Sequence, residues 1–192
     1  LYLAKHWFPE HGGLPQGEHP AIVFPYLVGG KLVNRKYRST KKMFMQEKDA
    51  LPSLFNVDAV TSLDRVVWVE GEADVLAMHE AGYPQTVSLP NGAPAANVQH
   101  DDKRYLPLDT HADLLAKVER FILAGDMDAP GLALREELAR RLGRHRCWLV
   151  TWPEGCKDAN DTLLKGGPAL VQAAIEAAEP YPIQGVQRLS GD

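Results

Sequence analysis

Val66-Val67-Trp68-Val69-Glu70-Gly71-Glu72-Ala73-Asp74 and, further on, Phe121-Ile122-Leu123-Ala124-Gly125-Asp126-Met127-Asp128 decide the fold. Each opens on a short unbroken apolar run, the mark of a strand buried on both faces. Each then turns acidic at the carboxyl end of that run. Working outward, Thr86-Val87-Ser88-Leu89 and residues 147–151 read as two further strands of this kind. Helical patterns lie between them. Glu72–Glu80 stops at Gly82, with Pro84 just beyond. Residues 112–119 form a second helix. Ala129–Leu142 is the clearest, with Leu134, Leu138 and Leu142 on one stripe and Gly143 as its stop. Residues 161–165 and 169–178 are helical after the fourth strand. Strands alternating with helices predict βαβ crossovers, hence an α/β fold with a mostly parallel four-stranded sheet between helices.

Ahead of this core, residues 1–20 are rich in Gly, Pro and His and show no sustained period, so they read as a loop-like lead-in. Residues 21–28 are a strand candidate, Gly29-Gly30 permits a tight turn with positive φ, and residues 31–38 return. Alternation puts Leu32, Asn34, Lys36 and Arg38 on one side of that strand and Val33, Arg35 and Tyr37 on the other. Pro25 predicts that its strand is at an edge or bulged. The expected organisation is a lead-in over 1–20, a small basic β-rich subdomain over 21–64, the core over 65–179 and a linker over 180–192 opened by Pro180 and Pro182.

The 192 residues carry a formal net charge of −4, but unevenly. Lys31, Arg35, Lys36, Arg38, Lys41, Lys42 and Lys48 are opposed within their stretch only by Glu47. Glu70, Glu72, Asp74, Asp126 and Asp128 gather elsewhere. One part can hold phosphates and another cations; two solvated faces of opposite sign are the plainer alternative. Two cysteines argue against a disulfide scaffold and fit a reducing cytoplasm. No apolar run has the length of a membrane span, and the first residues lack a secretory pattern. A start without Met suggests a segment of a longer protein.

Ligands of open parallel sheets sit at the carboxyl ends of the strands. Glu70, Asp126 and Asp128 would share that rim. Carboxylates so close repel unless neutralised, and a hard divalent cation such as Mg²⁺, bridging to substrate phosphates, does so. Gly71 and Gly131 let the turns approach a ligand. Structural roles compete: Asp128 as a helix N-cap before Pro130, Glu70 as a surface carboxylate. Their occurrence together, at matching strand ends, favours a site.

Glu70-Gly71 after one apolar strand and Asp126-x-Asp128 after another resemble the TOPRIM signature of primases, topoisomerases and related nucleases. Three further features resemble phage-type primase-helicases. These are the extended motif Glu70-Gly71-Glu72-Ala73-Asp74, the segment Lys157-Asp158-Ala159-Asn160-Asp161, and Val33-Asn34-Arg35-Lys36-Tyr37-Arg38 followed by Lys42-Met43-Phe44. The resemblance runs from about Ile22 to Val186. It implies a TOPRIM Rossmann-like core and a DNA primase catalytic domain that makes short RNA primers from ribonucleoside triphosphates on single-stranded DNA during phage or prophage replication. It further implies Mg²⁺, with Mn²⁺ as a substitute, on Glu70, Asp126 and Asp128. Lys36 would support catalysis. Lys36, Arg38, Lys42, Lys157 and Asp158 would contact nucleotide or nucleic acid, and the Asn91-Gly92 loop at the end of the second core strand is placed to do so as well. A hexameric replicative helicase domain would belong to the full-length chain, in a bacterial or phage-infected cytoplasm, with no membrane partner.

This sequence departs from the resemblance in two ways. Only Cys147 and Cys156 are present, so no four-cysteine zinc site exists. No Gly-x-x-x-x-Gly-Lys-Ser/Thr loop occurs, so no helicase ATPase is present in this segment. Rival readings are a TOPRIM nuclease using the same carboxylates and a non-catalytic single-stranded-DNA-binding module of a helicase. His6, His11 and His19 read as solvated loop histidines, Trp148 and Trp152 as packing residues, and Arg135, Arg140, Arg141 and Arg144 as a solvated helix face.

Overall fold

The computed structural model describes residues 1–93 and 102–182. Strands β1 (Tyr2–Phe8), β2 (Gly17–Val28), β3 (Lys31–Ser39) and β4 (Phe44–Gln46) form an antiparallel sheet in the order β1-β2-β3-β4. The turn between β2 and β3 uses Gly29 and Gly30 at φ 58° and 74°. Both of their N–H groups donate to the Asp58 carboxylate at 2.8 Å.

Residues 1–20 are therefore not a loop-like lead-in: most of them are strand. Their period is hard to read because β1 exposes Leu3, Lys5 and Trp7 on one face and only half-covers Ala4 and His6 on the other. Phe8 nevertheless packs with Leu14 and Ala21 in a small core of its own. His6 is not simply solvated, since it stacks on Tyr37 with ring centroids 3.7 Å apart. Pro25 does not mark an edge strand, because β2 lies inside the sheet. Pairing to β1 stops at Val23, however, and the β2–β3 register slips between Tyr26 and Leu27. The missing N–H of Pro25 thus falls beside a bulge.

The second sheet has five strands rather than four. These are β5 (Val66–Val69), β6 (Thr86–Ser88), β7 (Phe121–Leu123), β8 (Cys147–Leu149) and β9 (Glu179–Pro180), in the order β6-β5-β7-β8-β9. The first four run parallel and β9 is antiparallel to β8. Pro180, expected to open a linker, instead pairs with Trp148, and the next N–H, that of Tyr181, donates to the Cys147 carbonyl at 2.8 Å. A two-residue edge strand containing proline carries no periodic signal.

Helices α1 (Glu72–Glu80) and α4 (Ala129–Leu142) have the expected bounds. Among the described residues between β6 and β7, the chain forms two short α-helices, α2 (Leu106–Thr110) and α3 (Ala112–Leu115), instead of one over 112–119. The cause is a tertiary contact. The Arg146 guanidinium donates to the carbonyls of Leu115, Ala116 and Val118 at 3.1, 3.3 and 2.7 Å, which unwinds the segment there. Helix α5 (Ala159–Glu176) joins the two expected C-terminal helices across a kink at Gly167, φ 68°, with Pro168 behind it.

Strand β5 is buried on both sides. Val67 and Val69 join one core cluster with Met78, Ile122 and Ile175, while Val66 and Trp68 join another with Leu123, Leu134 and Leu138. Phe24, Tyr26 and Phe55 also belong to the first cluster, so the antiparallel sheet and the parallel sheet share one core. That shared core lays β3 and β4 against the carboxyl ends of β5, β6 and β7.

Candidate active site

A cavity of about 440 Å³ lies at those ends. Lys36, Phe44 and Gln46 line it from the antiparallel sheet. Glu70, Gly71, Glu72 and Asp74 line it from the end of β5 and the start of α1, Pro90–Ala93 from the end of β6, and Asp126 from the end of β7. Of the expected site residues, Lys36, Glu70, Asn91, Gly92 and Asp126 are thus brought together.

Glu70 is half-buried. One carboxylate oxygen accepts the Ala93 N–H at 3.4 Å, and the other, Oε2, has no hydrogen-bond partner. Burial, and then the charges of Asp126 and Asp128, push its pKa up to about 7. Burial likewise raises Asp74 to about 7, helped by Asp158 and Asp126. Asp126 is raised by burial and by its acidic neighbours against the pull of Lys157. The site holds more negative charge than its own cations cancel.

Asp128 sits at the rim, exposed, and caps α4 by accepting the Gly131 N–H at 2.9 Å. The capping role and the rim position coexist. Gly131 is required by contact. A Cβ there would meet the Asp126 carbonyl oxygen at 2.4 Å and carbon at 2.8 Å, so only glycine lets α4 close on that turn.

The segment beginning at Lys157 lies behind the lining and contacts two of its carboxylates, Asp126 and Asp74. Lys157 Nζ lies 3.4 Å from Asp126 and 2.9 Å from Asp158, which hold it well above the usual lysine range. Asp158 caps α5 by accepting the Asp161 N–H at 2.7 Å. Asn160 donates to Asp74 at 2.5 Å.

Five expected contacts do not line the cavity: Asp128, Lys157 and Asp158, placed above, and Arg38 and Lys42. Arg38 projects beside Phe44 on the sheet, and Lys42 occupies the β3–β4 turn at φ 58°. Lys36 is present but not free. It is 8% exposed and donates to both Glu72 oxygens at 2.8 and 2.9 Å and to the Pro90 carbonyl at 2.6 Å. Tyr26 donates its hydroxyl to the same Glu72 carboxylate at 2.5 Å. Glu72 stands in the acidic motif, but nothing in the sequence pairs it with Tyr26. Arg104, also not singled out by pattern, donates to the carbonyls of Asn91, Gly92 and Ala93 and so pins that loop. Gln46 bridges, accepting from Asn34 and donating to Asn91, both at 2.8 Å.

Among the described residues no three His, Cys, Asp or Glu side chains form a ready-made metal cluster. The donor set still fits a hard divalent cation: Glu70 carries a buried, unpartnered carboxylate oxygen and lines the cavity together with Asp74 and Asp126, all oxygen donors.

The raised carboxyl groups give a signed pH dependence. A group whose folded pKa exceeds its unfolded value binds more protons in the folded state, so stability falls as pH rises between the two values. For Glu70 and Asp74 that window is from about 4 to about 7. Without divalent metal, thermal unfolding should occur at higher temperature at pH 5.5 than at pH 7.5, and saturating Mg²⁺ should abolish the difference. A melting temperature that rises steadily across this range in metal-free buffer would show that these carboxyls do not carry the strain assigned to them.

Residues 64–150 match the Toprim domain family. The chain carries a Toprim domain, set in a primase-like fold. It is 45% identical over 181 residues to the Twinkle homolog protein, chloroplastic/mitochondrial, of Arabidopsis thaliana, covering 88% of this chain and 26% of that protein. It is 44% identical over 174 residues to the Primase homolog protein of the same plant, covering 85% of this chain and 52% of that one. Among solved structures, the primase fragment of the bacteriophage T7 primase-helicase protein superposes with a TM-score of 0.69 at 25% identity, over 82% of this chain and 62% of that chain. The chain thus spans about a quarter and about half of the two plant relatives. Among the described residues, no helix is long and apolar enough to cross a membrane.

Proposed function

We propose that the cavity is the active site of a DNA primase, adding ribonucleotides to a growing 3′ end on a single-stranded DNA template. The observation that carries this reading is the set of acidic groups around Glu70, with an oxygen left unpartnered, in one cavity with a lysine-bearing wall of the antiparallel sheet. The likeness to primase relatives over most of the chain supports it.

In this reading Glu70, Asp126 and Asp128 hold Mg²⁺, or Mn²⁺ in its place. The bound ion would supply charge to stabilise the phosphoryl group and the departing pyrophosphate. Lys157 occupies Asp126 until a cation arrives. Asn91, Gly92 and Gln46 form the wall against which a nucleotide is positioned, and Arg104 keeps that wall in place. Lys36 adds positive charge beside the site. Arg38 and Lys42 meet the nucleic acid outside the cavity. Residues 65–179 are the catalytic unit, and the four-stranded sheet ahead of it is its basic partner. A hexameric helicase domain would lie elsewhere in the full-length protein, as the primase-helicase likeness suggests. The compartment is one that replicates DNA, the bacterial or phage-infected cytoplasm.

The test is incubation with single-stranded DNA, labelled ribonucleoside triphosphates and Mg²⁺, following both extension and degradation. Short oligoribonucleotides, dependent on template and metal, are the expected products. Degradation of the DNA without any synthesis, by a protein shown to be folded, would overturn the reading in favour of a nuclease.

A further inference from the structure

We infer that Arg104, which stands outside the cavity lining, is a positioning residue for Glu70: through a single peptide group it decides which oxygen of that carboxylate is left for a cation. The inference rests on the acidic site proposed above and adds a residue to it. Its basis is one peptide plane, the bond between Gly92 and Ala93. The Gly92 carbonyl accepts from Arg104 Nη1 at 3.0 Å, and the Ala93 N–H donates to Glu70 Oε1 at 3.4 Å. The peptide is trans, so its C=O and N–H point in opposite directions, and a cation fixed on the oxygen aims the hydrogen the other way. Guanidinium, peptide and carboxylate thus form one continuous chain. Positive charge on the oxygen also polarises the N–H and strengthens its hold on the carboxylate. With Oε1 engaged, Oε2 remains buried and without a partner.

Arg104 is placed for this contact rather than for its own satisfaction. It lies in the 3₁₀ turn Asp102–Tyr105, just ahead of α2. Its Nη1 alone meets three successive carbonyls, those of Asn91, Gly92 and Ala93, at 2.6, 3.0 and 3.3 Å. Its Nε is buried and has no hydrogen-bond partner among the described residues, although buried donors are ordinarily paired. The turn that Arg104 grips is packed on Glu70. Gly92 has φ 53°, and a Cβ there would stand 3.5 Å from both the Cγ and the backbone oxygen of Glu70. The other ties on this loop act earlier in the chain. Lys36 holds the Pro90 carbonyl and Gln46 the Asn91 side chain, both ahead of the Gly92–Ala93 peptide.

Electrostatics alone gives the opposite sign. Removing a positive charge near a cation site should tighten cation binding. Removing the hold on Glu70 should loosen it, because groups that orient a metal ligand contribute about 10- to 100-fold to metal affinity.

Mn²⁺ binding to the whole chain is therefore followed by electron paramagnetic resonance, without nucleotide or nucleic acid. Arg104→Met should weaken Mn²⁺ binding about tenfold. Arg104→Lys should recover most of that loss, since one nitrogen makes all three contacts and an ammonium has three donors to offer. Lys103→Met removes the same charge from the exposed position next door and should bind Mn²⁺ no more weakly than the parent. In primer synthesis, Arg104→Met should need about tenfold more Mg²⁺ for half its maximal rate, and saturating Mg²⁺ should restore that rate.

An Arg104→Met protein that binds Mn²⁺ as tightly as the parent, or more tightly, would overturn the inference. So would an Arg104→Lys protein as weak as Arg104→Met, because the side chain would then be a packed brace and not a donor. A parent whose variants show these Mn²⁺ shifts but which makes no RNA would refute the primase reading and leave the positioning role standing. A parent that makes RNA while both Arg104 variants bind Mn²⁺ normally would do the reverse. A folded parent that binds no Mn²⁺ would remove both.

Discussion

Glu70→Gln and Asp126→Asn proteins should each lose at least about a hundredfold in nucleotide addition while unfolding at no lower temperature than the parent. A ligand to a catalytic ion contributes several kcal/mol of charge stabilisation, and each 1.36 kcal/mol is tenfold in rate. The opposite sign on stability follows from the same geometry. Burial and mutual repulsion hold the Glu70 and Asp126 carboxyls above their ordinary range, so removing either charge relieves the folded state near neutral pH. Asp128 separates two roles that the structure superimposes. Asparagine caps a helix about as well as aspartate, so Asp128→Asn should keep the melting temperature and lose activity, whereas Asp128→Ala should also lose about 1 kcal/mol of stability. Titration of Mn²⁺ followed by electron paramagnetic resonance reports the metal directly. Unchanged Mn²⁺ affinity and unchanged synthesis in the Glu70 and Asp126 variants would refute the acidic site.

The contrast between these carboxylates and the rest of the site shows what could be read from sequence. Strand ends in a parallel sheet are legible because an unbroken apolar run such as Val66–Val69 can hardly be anything else once Gly71 and a helix follow it. Placing Glu70 and Asp126 on one rim then needs only topology. The bounds of α1 and α4 were legible for local reasons: Gly82 and Gly143 end them, and Asp128 with Pro130 begins the second. The misses are long-range. Strand β1 hides its period because it lies at the sheet edge, where the face that carries Phe24 and Lys36 further in leaves Leu3 and Trp7 exposed in place of polar residues. The early end of α3 depends on Arg146, which comes from the other side of β7 and α4. The partners of Lys36 are Glu72 and Pro90, separated from it by 36 and 54 positions, so a pattern of basic residues could show that Lys36 was present but not that it was occupied.

That occupation leads to the second large effect. A lysine ammonium has three donors, and in Lys36 all three are used, by Glu72 Oε1, Glu72 Oε2 and the Pro90 carbonyl. Lys36 and Glu72 are both buried, at 8% and 3% exposure, and Tyr26, itself at 0%, supplies the remaining donor to the carboxylate. Removing one member of such a pair leaves a buried charge without its partner, which costs about 3–5 kcal/mol, whereas removing both charges costs much less. Lys36→Met should therefore destabilise the protein by that amount in urea unfolding, and Lys36→Met combined with Glu72→Gln should recover most of the loss. The difference is a coupling energy that a double-mutant cycle isolates. Lys36→Met should also depress triphosphate use, for two reasons: it removes positive charge from the cavity, and it frees the Pro90–Ala93 wall from β3. The double variant tells these apart. If it regains stability but not triphosphate use, the ammonium acts on the nucleotide. If it regains both, the lysine serves as a tie between the two sheets. A single Lys36→Met variant as stable as the parent would mean that the buried network does not hold the sheets together at all.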